Sequence, residues 1–153
     1  MKRVIVITVL VVLFFPLTFF VESHIPRSLL IIIERLAPTL FIALIEEFLG
    51  RLVPLLLLYY VYKETTNLTA INTGIAAGVT FGIIELFTKS MFYGNFHITT
   101  IIPILPIHVV NGLLQSYIIN FSFKKRSYEL IPAIYIITAA WHFLYNYLTM
   151  VQF

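Results

Sequence analysis

Long apolar runs divide almost the whole chain into segments of similar length. These runs cover residues 4–21, 37–62, 69–93, 98–123 and 128–151. A transmembrane helix needs about 20 mostly apolar residues to cross a hydrocarbon layer about 30 Å thick, and each run is long enough. The pattern predicts an all-α fold, a polytopic membrane helix bundle of about five transmembrane helices that forms a single integral membrane domain over residues 1–153.

Two other apolar stretches need an interpretation of their own. Residues 28–36 form a shorter stretch that carries Glu34 and Arg35, and we predict either an interfacial helix or an extension of the second run bent at Pro38. The first run, residues 4–21, is longer than the apolar core of a usual signal peptide and is followed by a poor cleavage site. We therefore expect it to be a retained first span.

The composition agrees with a membrane protein and excludes several kinds of chemistry. The chain has 153 residues, of which 60% are hydrophobic and 11% charged, and its mean hydropathy is +0.98, too apolar for a soluble domain of this size. It has no cysteine, which excludes a thiol nucleophile and a cysteine-based zinc site. Aspartate is also absent, which excludes a protease with paired aspartates. No basic soluble surface is present to bind nucleic acid.

The basic residues of the connections predict the orientation of the spans. Six of them fall on one side of the bundle, at Lys2, Arg3, Lys63, Lys124, Lys125 and Arg126, and three on the other, at Arg27, Arg35 and Lys89. Positive residues are enriched in cytoplasmic connections. We therefore predict a plasma-membrane protein with a cytoplasmic N-terminus and an extracytoplasmic C-terminus.

Ionisable side chains interrupt four of the apolar runs, at Glu46, Glu47, Glu85, His108 and His142. A charge in the bilayer costs several kcal/mol and usually faces the interior of a bundle or a wet cavity. A helix rises about 1.5 Å per residue. With this rise, the predicted topology places the ionisable residues of all four runs at nearly the same depth, roughly 12–15 Å below the outer surface. This convergence predicts a polar site between the helices.

Three glycines recur every four residues in the third run, at Gly74, Gly78 and Gly82. A stripe of small residues lets two helix backbones approach closely. Glu85 follows Gly82 by three residues, so the stripe predicts an interhelical position for this carboxylate. An ion pair with Lys89, one turn later, is the alternative for Glu85.

Two pairs of polar residues have the spacing of one helical turn. Glu47 and Arg51 can form an ion pair at i,i+4, which leaves Glu46 as a candidate general base for the activation of water. His142 and Asn146 have the same spacing, and a hydrogen bond to the imidazole would fix the tautomer that acid catalysis or metal binding requires. A structural ion pair is the alternative for Glu47 with Arg51, and a packed, hydrogen-bonded histidine is the alternative for His108.

The fourth run combines a histidine with two prolines. His108 follows Pro103 and Pro106, and the prolines predict a kinked or broken outer half of this helix. Irregular helices at membrane depth are tolerated where they line a cavity or the protein interior. In the third run, Phe81 lies one turn before Glu85.

The order of these motifs resembles the superfamily of glutamate-dependent intramembrane proteases, which includes the CAAX-processing and bacteriocin-immunity (CPBP) proteins and the PrsW proteases. The matching residues are Glu46-Glu47 with Arg51, Phe81 with Glu85, His108 with Gly112, and His142 with Asn146, over about residues 40–147. The spacing from the paired glutamates to Arg51 resembles the CAAX branch, whereas Phe81 with Glu85 resembles the PrsW branch. The branch, and with it the substrate class, therefore stays open.

The resemblance implies an intramembrane endopeptidase that hydrolyses a peptide bond of a membrane-embedded or membrane-proximal substrate by glutamate-activated water. The implied catalytic residues are Glu46, Glu47, His108 and His142, and the implied supporting residues are Arg51, Phe81, Glu85 and Asn146. In a metal-assisted version, Zn²⁺ would be held by His108, His142 and Glu85. The expected partners are a membrane protein or peptide substrate and the lipid bilayer of a prokaryotic cell.

Two other functions fit a buried cluster of glutamate and histidine. The cluster is also typical of the proton or cation path of a small transporter, although the inverted repeats of many transporters are absent from the sequence. In a non-catalytic membrane scaffold subunit, the same polar residues would only hold the helices together.

Overall fold

The computed structural model describes residues 1–24, 36–63, 65–93 and 98–151. The regular structure in these ranges is helical, which confirms the all-α prediction. Its elements are α1 (Lys2–Ser23), α2 (Leu36–Glu47), a π-helical turn (Phe48–Leu52), α3 (Val53–Tyr62), α4 (Asn67–Tyr93), α5 (Ile98–Lys125) and α6 (Leu130–Val151). The bounds of α1, α4, α5 and α6 lie within two residues of the apolar runs. The predicted segment over residues 28–36 lies outside the described residues, apart from Leu36, which begins α2.

The second apolar run forms a helix with a π-helical turn in its middle, which the sequence pattern did not predict. The backbone N–H of Val53 donates to the carbonyl of Phe48, five residues earlier. Pro54 lies in the first turn of α3, has no N–H for the carbonyl of Gly50, and its ring crowds that carbonyl. A wider turn just before the proline relieves this conflict, and such π turns are frequent at functional sites.

The glycine stripe brings α4 and α5 into backbone contact. A Cβ atom added at Gly78 would lie 2.6 Å from the Cα of Val109, and one added at Gly74 would lie 2.6 Å from the carbonyl oxygen of Gly112. No larger side chain fits at these distances, which confirms the predicted close approach. α5 continues as helix through Pro103 and Pro106, so the helix is not broken there.

Polar side chains line much of the interior, and large apolar side chains cover the outside. Among the described residues, the outward apolar side chains include Leu13, Ile83, Phe87, Met91, Ile136, Ile137, Trp141 and Leu148. Contiguous apolar surface of this kind marks contact with a membrane or another protein. Two described stretches, Asn67–Thr88 in α4 and Ile104–Lys125 in α5, are long and apolar enough to cross a membrane.

A conventional apolar core supports one end of the bundle. It joins α1, α3, α4 and α5 through Ile7, Val11, Leu55, Leu58, Tyr59, Ala77, Phe81 and Ile119. Its polar contacts are few: the hydroxyl of Tyr59 bonds Ser116 Oγ at 2.9 Å, and Ser116 Oγ donates to the carbonyl of Ala70 at 2.7 Å. Phe81 lies where this core meets the polar interior.

Candidate functional site

Four helices and the π turn contribute to one buried polar cluster. Its side chains are Glu46 and Glu47 from α2, Arg51 from the π turn, Glu85 from α4, His108, Asn111 and Gln115 from α5, and Thr138 and His142 from α6. The structure therefore brings together the five ionisable residues that the sequence singled out. Their catalytic roles stay predictions.

Glu47 is the most extensively bonded carboxylate of this cluster. Its Oε1 accepts hydrogen bonds from the guanidinium of Arg51 and from Asn111 Nδ2 at 2.8 Å. Its Oε2 accepts one from Gln115 Nε2 at 2.8 Å. The two amides also bond Thr138, Asn111 to its carbonyl at 3.2 Å and Gln115 to its hydroxyl at 2.7 Å. We call these five residues the Glu47 network.

Arg51 fixes the Glu47 network to α4 and α5. Besides its i,i+4 ion pair with Glu47, it donates from Nη1 to the carbonyl of His108 at 3.1 Å. Its guanidinium carbon lies 5.0 Å from the centre of the Phe81 ring, within range of a cation–π interaction. Gly50 leaves room for that ring, which a Cβ atom at this position would strike. Arg51 therefore holds Glu47 in place, as the spacing predicted.

His142 lies between the two adjacent glutamates. Its Nδ1 lies 3.0 Å from Oε1 of Glu47, and its Nε2 lies 3.3 Å from Oε2 of Glu46. A carboxylate paired with a guanidinium can only accept hydrogen bonds, so we assign the proton to Nδ1. Among the residues that the structure describes, no hydrogen-bond partner is found for Nε2.

His108 bonds a different carboxylate. Its Nε2 forms a hydrogen bond with Oε2 of Glu85, so Glu85 lies at the contact between α4 and α5, as the glycine stripe predicted. The rings of His108 and His142 are perpendicular, with centres 4.9 Å apart, and the ring of Phe81 lies 5.0 Å from that of His108. The alternative pair of Glu85 with Lys89 lies outside the described side chains.

Sequence reasoning missed three members of the Glu47 network. Asn111, Gln115 and Thr138 were not predicted as site residues, although Asn111 lies one turn after His108, and this spacing could have identified it. Thr138 gave no such signal, because a threonine in an apolar helix usually bonds its own backbone. Asn146 is buried one turn after His142.

Two sets of buried side chains bring potential metal ligands within 4.8 Å of one another. One set is Glu47, His108 and His142, and the other is Glu46, Glu85 and His142. The zinc ligands predicted from the sequence are thus distributed over both sets, with His142 in common. His108 falls in one set and Glu85 in the other.

An apolar groove of about 420 Å³ lies between α5 and α6. It is lined by Val110, Asn111, Leu114, Ile137, Thr138, Ala140, Trp141 and Leu144. Trp141 is 52% exposed and Val110 49% exposed, so the groove opens at the outer surface of the bundle. Asn111 and Thr138 belong both to this groove and to the Glu47 network, which links the network to the outside.

Comparisons with known proteins give this site no counterpart. No family model matches the chain, and no curated protein or solved structure matches it. The resemblance to glutamate-dependent intramembrane proteases therefore depends on the sequence motifs alone.

Proposed function

We propose that this chain is an intramembrane endopeptidase that cleaves a membrane-embedded or membrane-proximal peptide segment by glutamate-activated water. In this proposal the five apolar runs cross the plasma membrane, with the N-terminus in the cytoplasm and the C-terminus outside. The apolar outer surface and the two helices that are long enough to span a bilayer support the membrane location.

One observation carries the proposal, namely the position of His142 between Glu46 and Glu47. A histidine whose Nδ1 bonds a fixed carboxylate presents Nε2 in a defined direction, as the acid–base residues of hydrolases do. Here the fixed carboxylate is Glu47, and Nε2 points toward Glu46 at 3.3 Å. A carboxylate and an imidazole at this separation can share the proton transfers of one reaction.

In the proposed reaction, Glu46 takes a proton from a water molecule, and the water oxygen attacks the scissile carbonyl carbon. The carbonyl oxygen becomes an oxyanion. In the proposal, Glu46 passes its proton to Nε2 of His142, and the protonated His142 together with His108 stabilises the oxyanion. The C–N bond then breaks as a proton passes from the acid–base pair to the leaving amine. Glu85 keeps His108 oriented, and the Glu47 network keeps His142 oriented. Buried Asn146, one turn after His142, would support that histidine.

The groove between α5 and α6 supplies a route for the substrate. Its apolar lining suits the side chains of a membrane-embedded segment, and its polar residues, Asn111 and Thr138, lie next to Glu47. Asn111 already uses both amide hydrogens within the cluster. A substrate segment would therefore first contact the apolar wall of the groove. Its backbone would form hydrogen bonds with the protein only near the cluster.

The test compares site variants with matched surface variants in proteoliposomes. Glu46→Gln and His142→Ala should each reduce cleavage of a transmembrane peptide library by at least about a hundredfold, the usual contribution of a general acid or base. Mass spectrometry of the products measures cleavage. Glu129→Gln and His24→Ala change exposed residues and should leave the rate unchanged. Undiminished cleavage in both site variants would refute the proposal.

The Glu47 network favours one other function, that of a non-catalytic scaffold subunit. Glu47 is bonded by side chains from the π turn, α5 and α6, which is the arrangement expected if the polar residues hold the helices together. A scaffold would lack peptidase activity in the wild-type protein and would be recovered with a stable partner. Cleavage that depends on Glu46 would exclude this function.

A further inference from the structure

We propose that Glu46, Glu85 and His142 form a binding site for a divalent cation of the zinc class. This inference goes beyond the proposed peptidase function and does not depend on it, because a metal site can be structural or catalytic. The three side chains come from α2, α4 and α6. They are buried, and one ligand atom from each lies within 4.8 Å of the others.

The first argument comes from the tautomer of His142. Because Glu47 accepts hydrogen bonds at both oxygens, Nδ1 of His142 carries the proton that the bond between them requires. In the neutral ring, Nε2 then presents a lone pair, and that lone pair faces a carboxylate oxygen of Glu46. Two acceptors that face each other repel, and a cation between them, either a proton or a metal ion, would turn this contact into an attractive one.

The second argument comes from the distance. Zinc binds nitrogen and oxygen at about 2.0–2.2 Å in a tetrahedron, so two of its ligand atoms lie about 3.4 Å apart. Nε2 of His142 and Oε2 of Glu46 are separated by 3.3 Å. This separation is longer than a normal charge-assisted hydrogen bond of about 2.7–2.9 Å, and it matches the spacing of two ligand atoms around a bound metal ion.

The third argument concerns the choice between the two candidate sets. In the set of Glu47, His108 and His142, the carboxylate already pairs with the guanidinium of Arg51. A divalent ion bound there would lie next to a fixed positive charge. In the set of Glu46, Glu85 and His142, the ion would instead meet His142 at Nε2, the nitrogen that faces Glu46 and does not bond Glu47. The tautomer of His142 therefore favours this second set.

The surroundings of the second set resemble the outer shell of a metal site. A histidine that binds a metal through one nitrogen commonly donates its other N–H to a carboxylate, which fixes the ring and raises its basicity. Glu47 occupies that position for His142. Glu85 can keep Oε2 on His108 and present Oε1 to the ion. Glu46, whose side chain is 8% exposed, offers the access path.

The experiment measures metal content and needs no enzymatic activity. The full chain is purified in detergent, stripped with a chelator, loaded with Zn²⁺, dialysed and analysed by mass spectrometry of its metals. We expect about one zinc ion per wild-type chain and less than a tenth of that in Glu46→Gln. Loading with Co²⁺ should give the visible absorption of a tetrahedral ion, and His142→Ala should abolish it.

Matched variants decide between the two sets and control for folding. Glu129→Gln and His24→Ala should retain the wild-type zinc content. His108→Ala should keep the stoichiometry and weaken the affinity about tenfold or more, as loss of an outer-shell partner does. Wild-type protein that binds no stoichiometric zinc would overturn the proposal. The proposal would also be overturned if Glu46→Gln kept its full zinc content while His108→Ala lost its zinc. The ion would then occupy the set of Glu47, His108 and His142.

Metal content and cleavage are measured separately, so either proposal can fail while the other holds. Cleavage by the stripped protein at the wild-type rate, together with stoichiometric zinc binding, would leave the site structural. Loss of cleavage on stripping and recovery with Zn²⁺ would instead assign the activation of water to the bound cation. Stoichiometric zinc in a protein that cleaves nothing would support the metal site and refute the peptidase.

Discussion

Glu46 and Glu47 are neighbours in the sequence, yet the structure gives them very different surroundings. Glu47 is fully buried and accepts hydrogen bonds from side chains on the π turn, α5 and α6. Glu46 retains a small exposed fraction and lies 3.3 Å from Nε2 of His142. One carboxylate is thus fixed by its partners, and the other faces a nitrogen that can exchange a proton or bind a metal.

The difference follows from helix geometry. Adjacent helical residues point about 100° apart, so two consecutive glutamates cannot enter the same environment. Glu47 points toward Arg51, which the π turn places one turn later on the same face. Glu46 points toward the side of His142 that also approaches Glu85. In our proposal the two adjacent glutamates therefore have separate tasks, because Glu47 orients His142 and Glu46 takes part in the chemistry.

The strongest test of this difference is to neutralise each carboxylate in turn. Glu47→Gln leaves the guanidinium of Arg51 buried without its counter-ion, and breaking a buried ion pair costs about 3–5 kcal/mol of unfolding free energy. Glu46→Gln leaves the ion pair of Arg51 with Glu47 in place, and we expect a cost of about 1 kcal/mol, that of a single hydrogen bond. Thermal unfolding in detergent measures both.

At about 2–4 °C per kcal/mol for a chain of this size, Glu47→Gln should lower the melting temperature by roughly 10 °C and Glu46→Gln by only a few degrees. Glu129→Gln, at an exposed position, serves as the control. Equal losses for the two neighbouring glutamates would show that their surroundings are energetically alike and would contradict the division of tasks.

The glycine stripe offers the next largest effect, because it sets the distance between α4 and α5 on which both carboxylates depend. In Gly78→Ala the new methyl group would meet backbone atoms of α5, including the Cα of Val109 at 2.6 Å. Overpacking of this kind costs about 1–3 kcal/mol, and we expect the upper part of that range because backbone cannot rotate away.

Gly82→Ala is the matched variant in the same helix. Its methyl group would meet side-chain atoms, Leu105 Cδ1 at 3.0 Å and His108 Cδ2 at 3.3 Å, which can move by a few tenths of an ångström. We therefore expect a smaller loss of stability than for Gly78→Ala, measured by the same thermal unfolding. An equal or greater loss for Gly82→Ala would contradict the conclusion that the backbone contact at Gly78 is the less adaptable of the two.

From the sequence we predicted many residues of this site but fewer of the structural features that position them. Apolar runs located the helices, and the glycine spacing located the close contact of α4 with α5, because both follow from local periodicity. The convergence of Glu85, His108 and His142 was also expected, since intramembrane charges seek one another. The π turn was not expected. It results from a steric conflict between Pro54 and the preceding carbonyls, and the periodicity of apolar residues does not reveal such a conflict.

The partners of each polar atom were likewise beyond the sequence. That Glu85 bonds His108, whereas His142 bonds Glu47, depends on rotations of α4, α5 and α6 about their own axes. Those rotations are set by packing over the whole interface, and a shift of one residue in any helix would exchange the pairs. This is why the zinc ligands predicted together are divided between the two sets that the structure forms.

The smallest effect concerns Thr138, whose hydroxyl accepts from Gln115 at 2.7 Å at the edge of the Glu47 network. Thr138→Val removes that acceptor, and we expect a loss of about 1–2 kcal/mol as Gln115 loses one hydrogen bond inside a buried site. Thr73→Val is the control, because this buried threonine donates to the carbonyl of Thr69 in its own helix. If the network orients His142 through Glu47, Thr138→Val should also reduce cleavage severalfold, whereas Thr73→Val should not. A loss of stability without any change in cleavage would limit the network to holding the helices together.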